Sequence, residues 1–239
     1  MKRLFLVLAA MILMAGSANA DIVLLEDFED TNVSYTTSVA EFTDGTGDFF
    51  IRTNGSDHAS FVNYDNIQGS SYFAAMDLDG EGASLPLTMS FTGIDISGYS
   101  NLTFSAFFAE DDDGTSEDWD KPDYVKIQYR IDGGGLQDLL AFENDGSIYN
   151  SAPSLDTDFD GTGDGTELTD SFAHFSEGID GTGSSLDLVF TFQLNSGDED
   201  IAVDHVMVTG DISAVPVPDA VILLGCGLIG LAGIKRKIS

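Results

Sequence analysis

The sequence has little cysteine, little positive charge and little histidine. Cys226 is the only cysteine among 239 residues, so no intramolecular disulfide can stabilise the fold. Nine Lys and Arg stand against 41 Asp and Glu, and the resulting net charge of -32 repels nucleic acid and anionic membrane surfaces. We therefore expect no nucleic-acid partner and a fold held by its core, with bound cations relieving the repulsion between acids.

Motifs of common enzyme classes are absent as well. The three histidines have no zinc spacing such as H-E-x-x-H, and the chain contains neither G-x-S-x-G nor the strand motif E-x-D-x-x-E of jelly-roll glycosidases. These absences predict a protein that is not an enzyme. The alternative is a carbohydrate-active enzyme of the jelly-roll class, a glycan hydrolase or lyase, because paired carboxylates need not be close in sequence.

The N-terminal residues 1–20 have the layout of a secretory signal peptide. Lys2 and Arg3 precede an apolar stretch, and Ala18-Asn19-Ala20 provides a small-residue cleavage site. The apolar stretch is too short for a membrane anchor that stays attached. We expect the exported chain to begin at Asp21.

The C-terminal end has the layout of a sorting or anchoring segment. A linker, 214–219, carries Pro216 and Pro218 and leads into residues 220–239, where fifteen uncharged residues precede Lys235, Arg236 and Lys237. As a helix, the uncharged run would span about 22 Å of a ~30 Å hydrocarbon core. The basic cluster would remain on the cytoplasmic side. The segment predicts membrane association through a C-terminal transmembrane helix.

This tail resembles the PEP-CTERM sorting signal of Gram-negative bacteria, in the variant that begins Val-Pro-x-Pro. Val217 stands between the prolines where the name-giving motif has an acid, and Asp219 follows them. The resemblance implies an exosortase-type enzyme as partner and export through the inner membrane. It also implies at least transient membrane anchoring and display on the cell surface or in an extracellular matrix.

Residues 21–213 show a period of two rather than 3.6. Apolar and polar residues alternate over 124–131 and 186–194, which is typical of half-buried strands. The other predicted strands are 22–28, 48–52, 59–64, 72–77, 85–91, 102–109, 136–142, 171–176 and 201–209. The pattern predicts an all-β fold, a single antiparallel β-sandwich of the jelly-roll, lectin-like kind. A pair of immunoglobulin-like domains is the alternative.

The clearest chemical motif runs from Asp156 to Glu167 and satisfies D-x-[DN]-x-[DN]-G-x5-E. Oxygen ligands alternating along a tight loop suit Ca²⁺, and the helical flanks of an EF-hand are missing. We predict a calcium loop between strands, against the alternative of a plain acidic loop. The predicted ligands are Asp156, Asp158, Asp160, the carbonyl of Thr162, Asp164 and Glu167.

A second set of acids comes from separate segments. The stretch from Asp200 to Val206, which includes Asp204 and His205, resembles the closing strand of MAM-type jelly-roll domains. That resemblance implies that the first and last strands lie together, so that acids from both can share an ion. The predicted second calcium site comprises Asp27, Asp77, Asp79 and Asp204. The alternative is that Asp204 faces solvent or caps a turn.

Trp119, the only tryptophan, lies in a stretch from Glu110 to Asp120 that contains seven acids. An exposed indole beside carboxylates can stack on a sugar ring, so Trp119 is a candidate ligand-binding residue, against the alternative of a core residue. Together these patterns predict an exported, calcium-stabilised surface or matrix protein. Its expected role is structural or adhesive, with extracellular polysaccharide as a partner.

Overall fold

The computed structural model describes residues 20–58, 61–80, 82–111, 118–147 and 151–213. Within these ranges the chain forms thirteen strands and no helix. The strands are β1 (Ala20–Glu26), β2 (Thr36–Thr37), β3 (Phe42–Thr43), β4 (Phe49–Thr53), β5 (Tyr72–Met76), β6 (Leu87–Asp95), β7 (Tyr99–Ala109), β8 (Tyr124–Ile131), β9 (Gln137–Glu143), β10 (Ser154–Leu155), β11 (Ala173–Ile179), β12 (Ser185–Gln193) and β13 (Asp200–Ile212). No helix within these ranges is long and apolar enough to cross a membrane.

The strands pair into two antiparallel sheets. The first has the order β11-β7-β13-β5-β4-β3, with β1 also paired to β13, and the second has the order β10-β9-β8-β12-β6-β2. Phenyl rings from the two sheets meet in one core, with centroids 5.4 Å apart for Phe50 and Phe192 and 4.8 Å apart for Phe108 and Phe142. The predicted all-β class and the two-sheet sandwich are thus confirmed. Both sheets draw strands from much of the described range, which favours one sandwich over two domains.

Buried and partly exposed side chains alternate along β8 and β12, two neighbouring strands of the second sheet. Val125 and Ile127 of β8 are fully buried, whereas Lys126 and Gln128, which alternate with them, are partly exposed. The same pattern covers all of β12. Period-two burial is what a strand with one face on a core requires, so these two predicted strands are confirmed.

The predicted strand at 59–64 is wrong over the residues described there. Residues 61–64 form no strand, yet Val62 and Tyr64 are buried, and the Tyr64 ring lies 5.4 Å from the ring of Tyr72. They belong to a second apolar cluster with Ala74 and Ala202, on the outer face of the first sheet. The apolar residues that predicted a strand instead belong to a loop that covers this sheet.

The last strand, β13, pairs with the first strand, β1. Its first part, Asp200 to Val203, pairs with β5, and its second part pairs with β1 along the same edge. The expectation that the first and last strands lie together is therefore confirmed. Between the two parts a bulge interrupts the pairing of β13 with β7 after Asp204, and His205 has a φ of 50°. This bulge positions Asp204.

Several predictions concern residues outside the described ranges. The predicted signal peptide, except for Ala20, lies there. So do the linker 214–219 and the segment 220–239 with its sorting-motif residues Pro216, Pro218, Lys235, Arg236 and Lys237.

Candidate metal centre

The loop after β10 gathers three carboxylates. One oxygen each from Asp156, Asp158 and Asp160 lies within 4.8 Å of the other two. Asp156 is 1% exposed, and the chain wraps around its carboxylate: Oδ2 accepts the N–H of Gly161 at 2.9 Å, and Oδ1 accepts those of Asp158 and Asp160 at 3.3 Å. The arrangement presents hard oxygen donors at the protein surface, as Ca²⁺ requires.

The other predicted ligands of this loop are not part of that group. The Asp164 carboxylate accepts the backbone N–H of Thr157 at 3.0 Å and its hydroxyl at 2.7 Å, and these bonds lower the pKa of Asp164. Glu167 is exposed and pairs through its backbone with Ser154, and Thr162 is partly buried in the same loop. The structure therefore brings together three of the five predicted carboxylate ligands.

Repulsion between the gathered acids favours a bound cation. The charge of Asp160 raises the pKa of Asp158 above its ordinary value. Burial raises the pKa of Glu143, on the neighbouring strand β9, to about 7; the charge of Asp156 adds to this rise, and that of Lys126 opposes it. A divalent cation among the three aspartates would offset the repulsion, so the donor set fits calcium in both chemistry and charge.

Gly163 allows the loop to pack directly on the sheet. A Cβ atom at this position would lie 2.5 Å from the carbonyl oxygen of Glu143 and 2.8 Å from that of Ser154. The Gly163 N–H donates to the carbonyl of Asn144 at 2.8 Å. Only glycine permits this close approach of the loop to β9 and β10.

Gly163→Ala should lower the free energy of unfolding by about 1–3 kcal/mol, because backbone atoms would have to move to admit the methyl group. Urea unfolding measures this change. The matched control is Gly135→Ala, since a Cβ there meets no atom within 4 Å. Equal stability of the two variants would contradict the packing of this loop.

The second predicted calcium site is divided between two places. Asp204 is fully buried: Oδ2 accepts the N–H of Gln68 at 2.8 Å, and Oδ1 has no hydrogen-bond partner among the described residues. The pKa of Asp204 is raised to about 7, chiefly by burial and in part by the charges of Glu29 and Asp27, while backbone hydrogen bonds oppose the rise. Acids from the first and last strand regions therefore do lie near each other. Since Asp204 is buried, the alternative that it faces solvent is wrong.

Asp77 and Asp79 do not join Asp204. Burial, followed by the charges of Asp48 and Asp79, raises the pKa of Asp77. Asp77 directly follows Met76, which pairs with Asp200, four residues before Asp204. Because this pairing is antiparallel, Asp77 lies one residue further from Asp204 than Met76 does, so the two acids are five residues apart, or about 17 Å along β13 at about 3.3 Å per strand residue. A single site containing all four predicted acids is therefore wrong.

The ligand-binding prediction for Trp119 is wrong. Its side chain is fully buried in the core, where no sugar ring can reach it, and its Nε1 has no hydrogen-bond partner among the described residues. Its carbonyl accepts the side-chain amide of Asn144 at 2.6 Å. The indole belongs to the sandwich core, which was the alternative expectation.

The acidic loop, residues 156–167, also contains Phe159, which is 40% exposed. Phe159 was not among the site residues predicted from the sequence. It lines a cavity of about 220 Å³ between β11, an edge strand of the first sheet, and the neighbouring strands β9 and β10 of the second. Other lining residues are Asp138, Leu139, Leu140, Leu155, Asp156 and Glu177. The sequence did carry a signal, since Phe159 is the only aromatic residue between Asp156 and Glu167.

The structure also contains a buried group of carboxylates that was not predicted from the sequence. Asp123 is fully buried, and Glu199 is 3% exposed. Asp123 accepts the N–H of Asp120 at 2.7 Å and the amide of Asn195 at 2.8 Å, and Glu199 accepts the N–H of Asn195 at 2.6 Å. Burial raises the pKa of both groups, and the charge of Asp123 adds to the rise for Glu199.

Comparison with known proteins yields structural neighbours only. No family model and no curated protein sequence matches the chain. The CBM22-1 xylan-binding domain of a Paenibacillus barcinonensis protein aligns with a TM-score of 0.42 and 13% identity, covering 84% of this chain and 100% of that domain. The K3 cleaved adhesin domain of Lys-gingipain from Porphyromonas gingivalis gives 0.43 and 16%, covering 80% and 99%.

A Stig cyclase from Fischerella sp. aligns with a TM-score of 0.46 and 12% identity, covering 82% of this chain and 100% of the cyclase. Because all three scores and identities are this low, we transfer neither details of fold nor function from these proteins.

Proposed function

We propose that this protein is an exported surface or extracellular-matrix component, a jelly-roll β-sandwich that calcium stabilises and that binds polysaccharide in an adhesive or structural role. The observation that carries the proposal is the convergence of Asp156, Asp158 and Asp160 within 4.8 Å. Asp204, whose buried Oδ1 has no hydrogen-bond partner among the described residues, supports a second ion near Asp27. The signal peptide and the exosortase-type sorting tail are the sequence basis for export from a Gram-negative cell.

Calcium would act here as a structural cofactor. Forty of the 41 acidic residues and only four of the nine basic ones lie in residues 21–213, so the folded sandwich repels itself. Outside the cell, a divalent cation can occupy acidic groups that no basic residue neutralises. Sites of the extracellular class bind Ca²⁺ with a Kd of about 10⁻⁴–10⁻³ M, which suits this location.

We further propose that the protein binds its ligand without turnover. A hydrolase needs a carboxylic acid with a raised pKa in contact with its substrate. The four carboxyls whose pKa is raised to about 6 or higher are at most 5% exposed: Asp123, Glu143, Glu199 and Asp204. Their burial supports a structural role over the carbohydrate-active enzyme.

Thermal melts of the purified protein test the calcium site. With a Kd of ~0.1 mM, ~10 mM Ca²⁺ should raise the free energy of unfolding by about 2.7 kcal/mol over chelator. Mg²⁺ at equal ionic strength should give a much smaller shift, because it requires a stricter octahedral geometry. Asp160→Asn should remove most of the calcium effect. Asp180→Asn, at the exposed position that follows β11, is the matched control and should retain it. Equal melts in Ca²⁺ and Mg²⁺ would overturn the proposal.

A further inference from the structure

The cavity lined by Phe159 is a groove beside the acidic loop, and it has the chemistry of a sugar-binding site. The apolar part of its lining, its floor, includes Leu139 and Leu140, which are buried, and Leu155, which is partly buried. Asp138 and Glu177, which also line it, are exposed. Asp138 Oδ1 already accepts the amide of Gln128 at 2.8 Å, which fixes the orientation of that carboxylate. An apolar surface with a few placed polar groups is the usual composition of a ligand site.

Phe159 has a backbone conformation that its own packing does not explain. Its φ is 59°, in the left-handed region that bulky residues rarely adopt. Phe28 has a similar φ of 58°, but its ring is fully buried, so core packing compensates for the strain. The Phe159 ring is 40% exposed and gains much less from burial. A strained residue without structural compensation points to a functional role.

The lining selects a neutral, hydroxyl-rich ligand. The exposed ring of Phe159 and the leucine floor suit the C–H faces of a sugar, while the carboxylates can accept hydrogen bonds from its hydroxyl groups. No basic residue lines the groove, so an anionic glycan would be repelled. A basic peptide would be attracted by the same acids, but its charged groups would have to lose water at the leucine floor.

We propose that this groove is a subsite for one sugar ring of a neutral polysaccharide, with Phe159 as the stacking surface and Asp138 and Glu177 as hydroxyl acceptors. The volume of about 220 Å³ is below the ~300–1,000 Å³ of sites for drug-sized ligands, as expected where one ring enters and the chain continues outside. Asp156 lines the groove and also belongs to the candidate calcium group. This inference rests on the proposed function, because it specifies the polysaccharide and where it binds.

Two substitutions of Phe159 separate the ring from the backbone conformation. Phe159→Asn removes the ring and places a residue that tolerates positive φ, so the fold should be unaffected. Phe159→Tyr retains an aromatic surface. Phe61→Asn is the matched control, since Phe61 is also exposed, at 54%, and does not line the groove.

Isothermal titration of the full-length chain in detergent, in millimolar Ca²⁺, measures binding of xylohexaose, cellohexaose, maltohexaose and oligolysine. We expect at least one hexasaccharide to bind. Phe159→Asn should weaken that binding about tenfold, or about 1.4 kcal/mol, whereas Phe159→Tyr and Phe61→Asn should bind like the unchanged protein. Unchanged melting temperatures would show that all three variants are folded.

The outcomes distinguish this inference from the proposed function. Hexasaccharide binding that survives Phe159→Asn would overturn the groove as the site while leaving polysaccharide binding intact. A calcium-specific melt with no hexasaccharide bound would overturn the groove and leave the calcium site intact. Loss of oligolysine binding alone in Phe159→Asn would assign the groove to a basic partner and also overturn the inference.

Discussion

Trp119→Ala should lower the free energy of unfolding by about 3–5 kcal/mol, a range typical of removing a fully buried aromatic side chain. The indole is among the largest fully buried side chains of the described chain and lies in the core between the two sheets. Because it is also the only tryptophan, its fluorescence is lost in the variant. Urea unfolding should therefore be followed by circular dichroism.

Two further variants test whether removal of the buried ring causes this loss of stability. Trp119→Phe should lose less stability, since it keeps a ring and its missing Nε1 makes no hydrogen bond among the described residues. Phe61→Ala, which truncates an exposed ring, should stay within about 0.5 kcal/mol of the unchanged protein. In conditions where Trp119→Ala is folded, its hexasaccharide affinity should be unchanged. Weaker sugar binding by the folded variant would restore a ligand role for Trp119.

The sequence was sufficient to predict features that depend on local pattern. The alternation in β8 and β12 indicated half-buried strands because one face of each strand lies on the core. The spacing of Asp156, Asp158 and Asp160 brought their carboxylates together because the loop is tight and local. The segment 61–64 shows the limit of such patterns. Its apolar residues are buried as expected, but by covering the first sheet from a loop.

Features that depend on distant contacts could not be predicted in this way. Asn195 donates to Asp123 from 72 residues away, so nothing in either local sequence indicated the buried carboxylate group. The exposure of Phe159 and the burial of Trp119 are also set by how loops pack at the sheet edges. In an acidic stretch an aromatic residue can take either position, and local sequence does not distinguish them.

The buried carboxylates make the protein sensitive to alkaline pH. Without divalent cations, raising the pH from about 5 to about 8 should lower the free energy of unfolding, by about 1.4 kcal/mol for each pKa unit by which a buried carboxyl is shifted within this window. The folded-state pKa is raised to about 6 for Asp123, about 7 for Glu143 and Asp204, and about 8 for Glu199, with burial as the largest cause each time. Since these values exceed those of unfolded carboxyls, the folded state binds more protons in this window. Within this window stability is therefore greatest at pH ~5 and falls as the groups ionise.

Glu199→Gln should raise stability at pH ~8 and flatten its pH dependence, because the amide resembles the protonated carboxyl. Its oxygen can still accept the N–H groups of Asn195 and Ser196, which Glu199 Oε2 accepts at 2.6 and 2.8 Å. Glu177→Gln, at an exposed position, should leave the pH dependence unchanged. Melts in chelator between pH ~5 and ~8 measure both variants. If Glu199→Gln is less stable than the unchanged protein at pH ~8, the ionised carboxylate is stabilising there and the sign of the argument from burial is wrong.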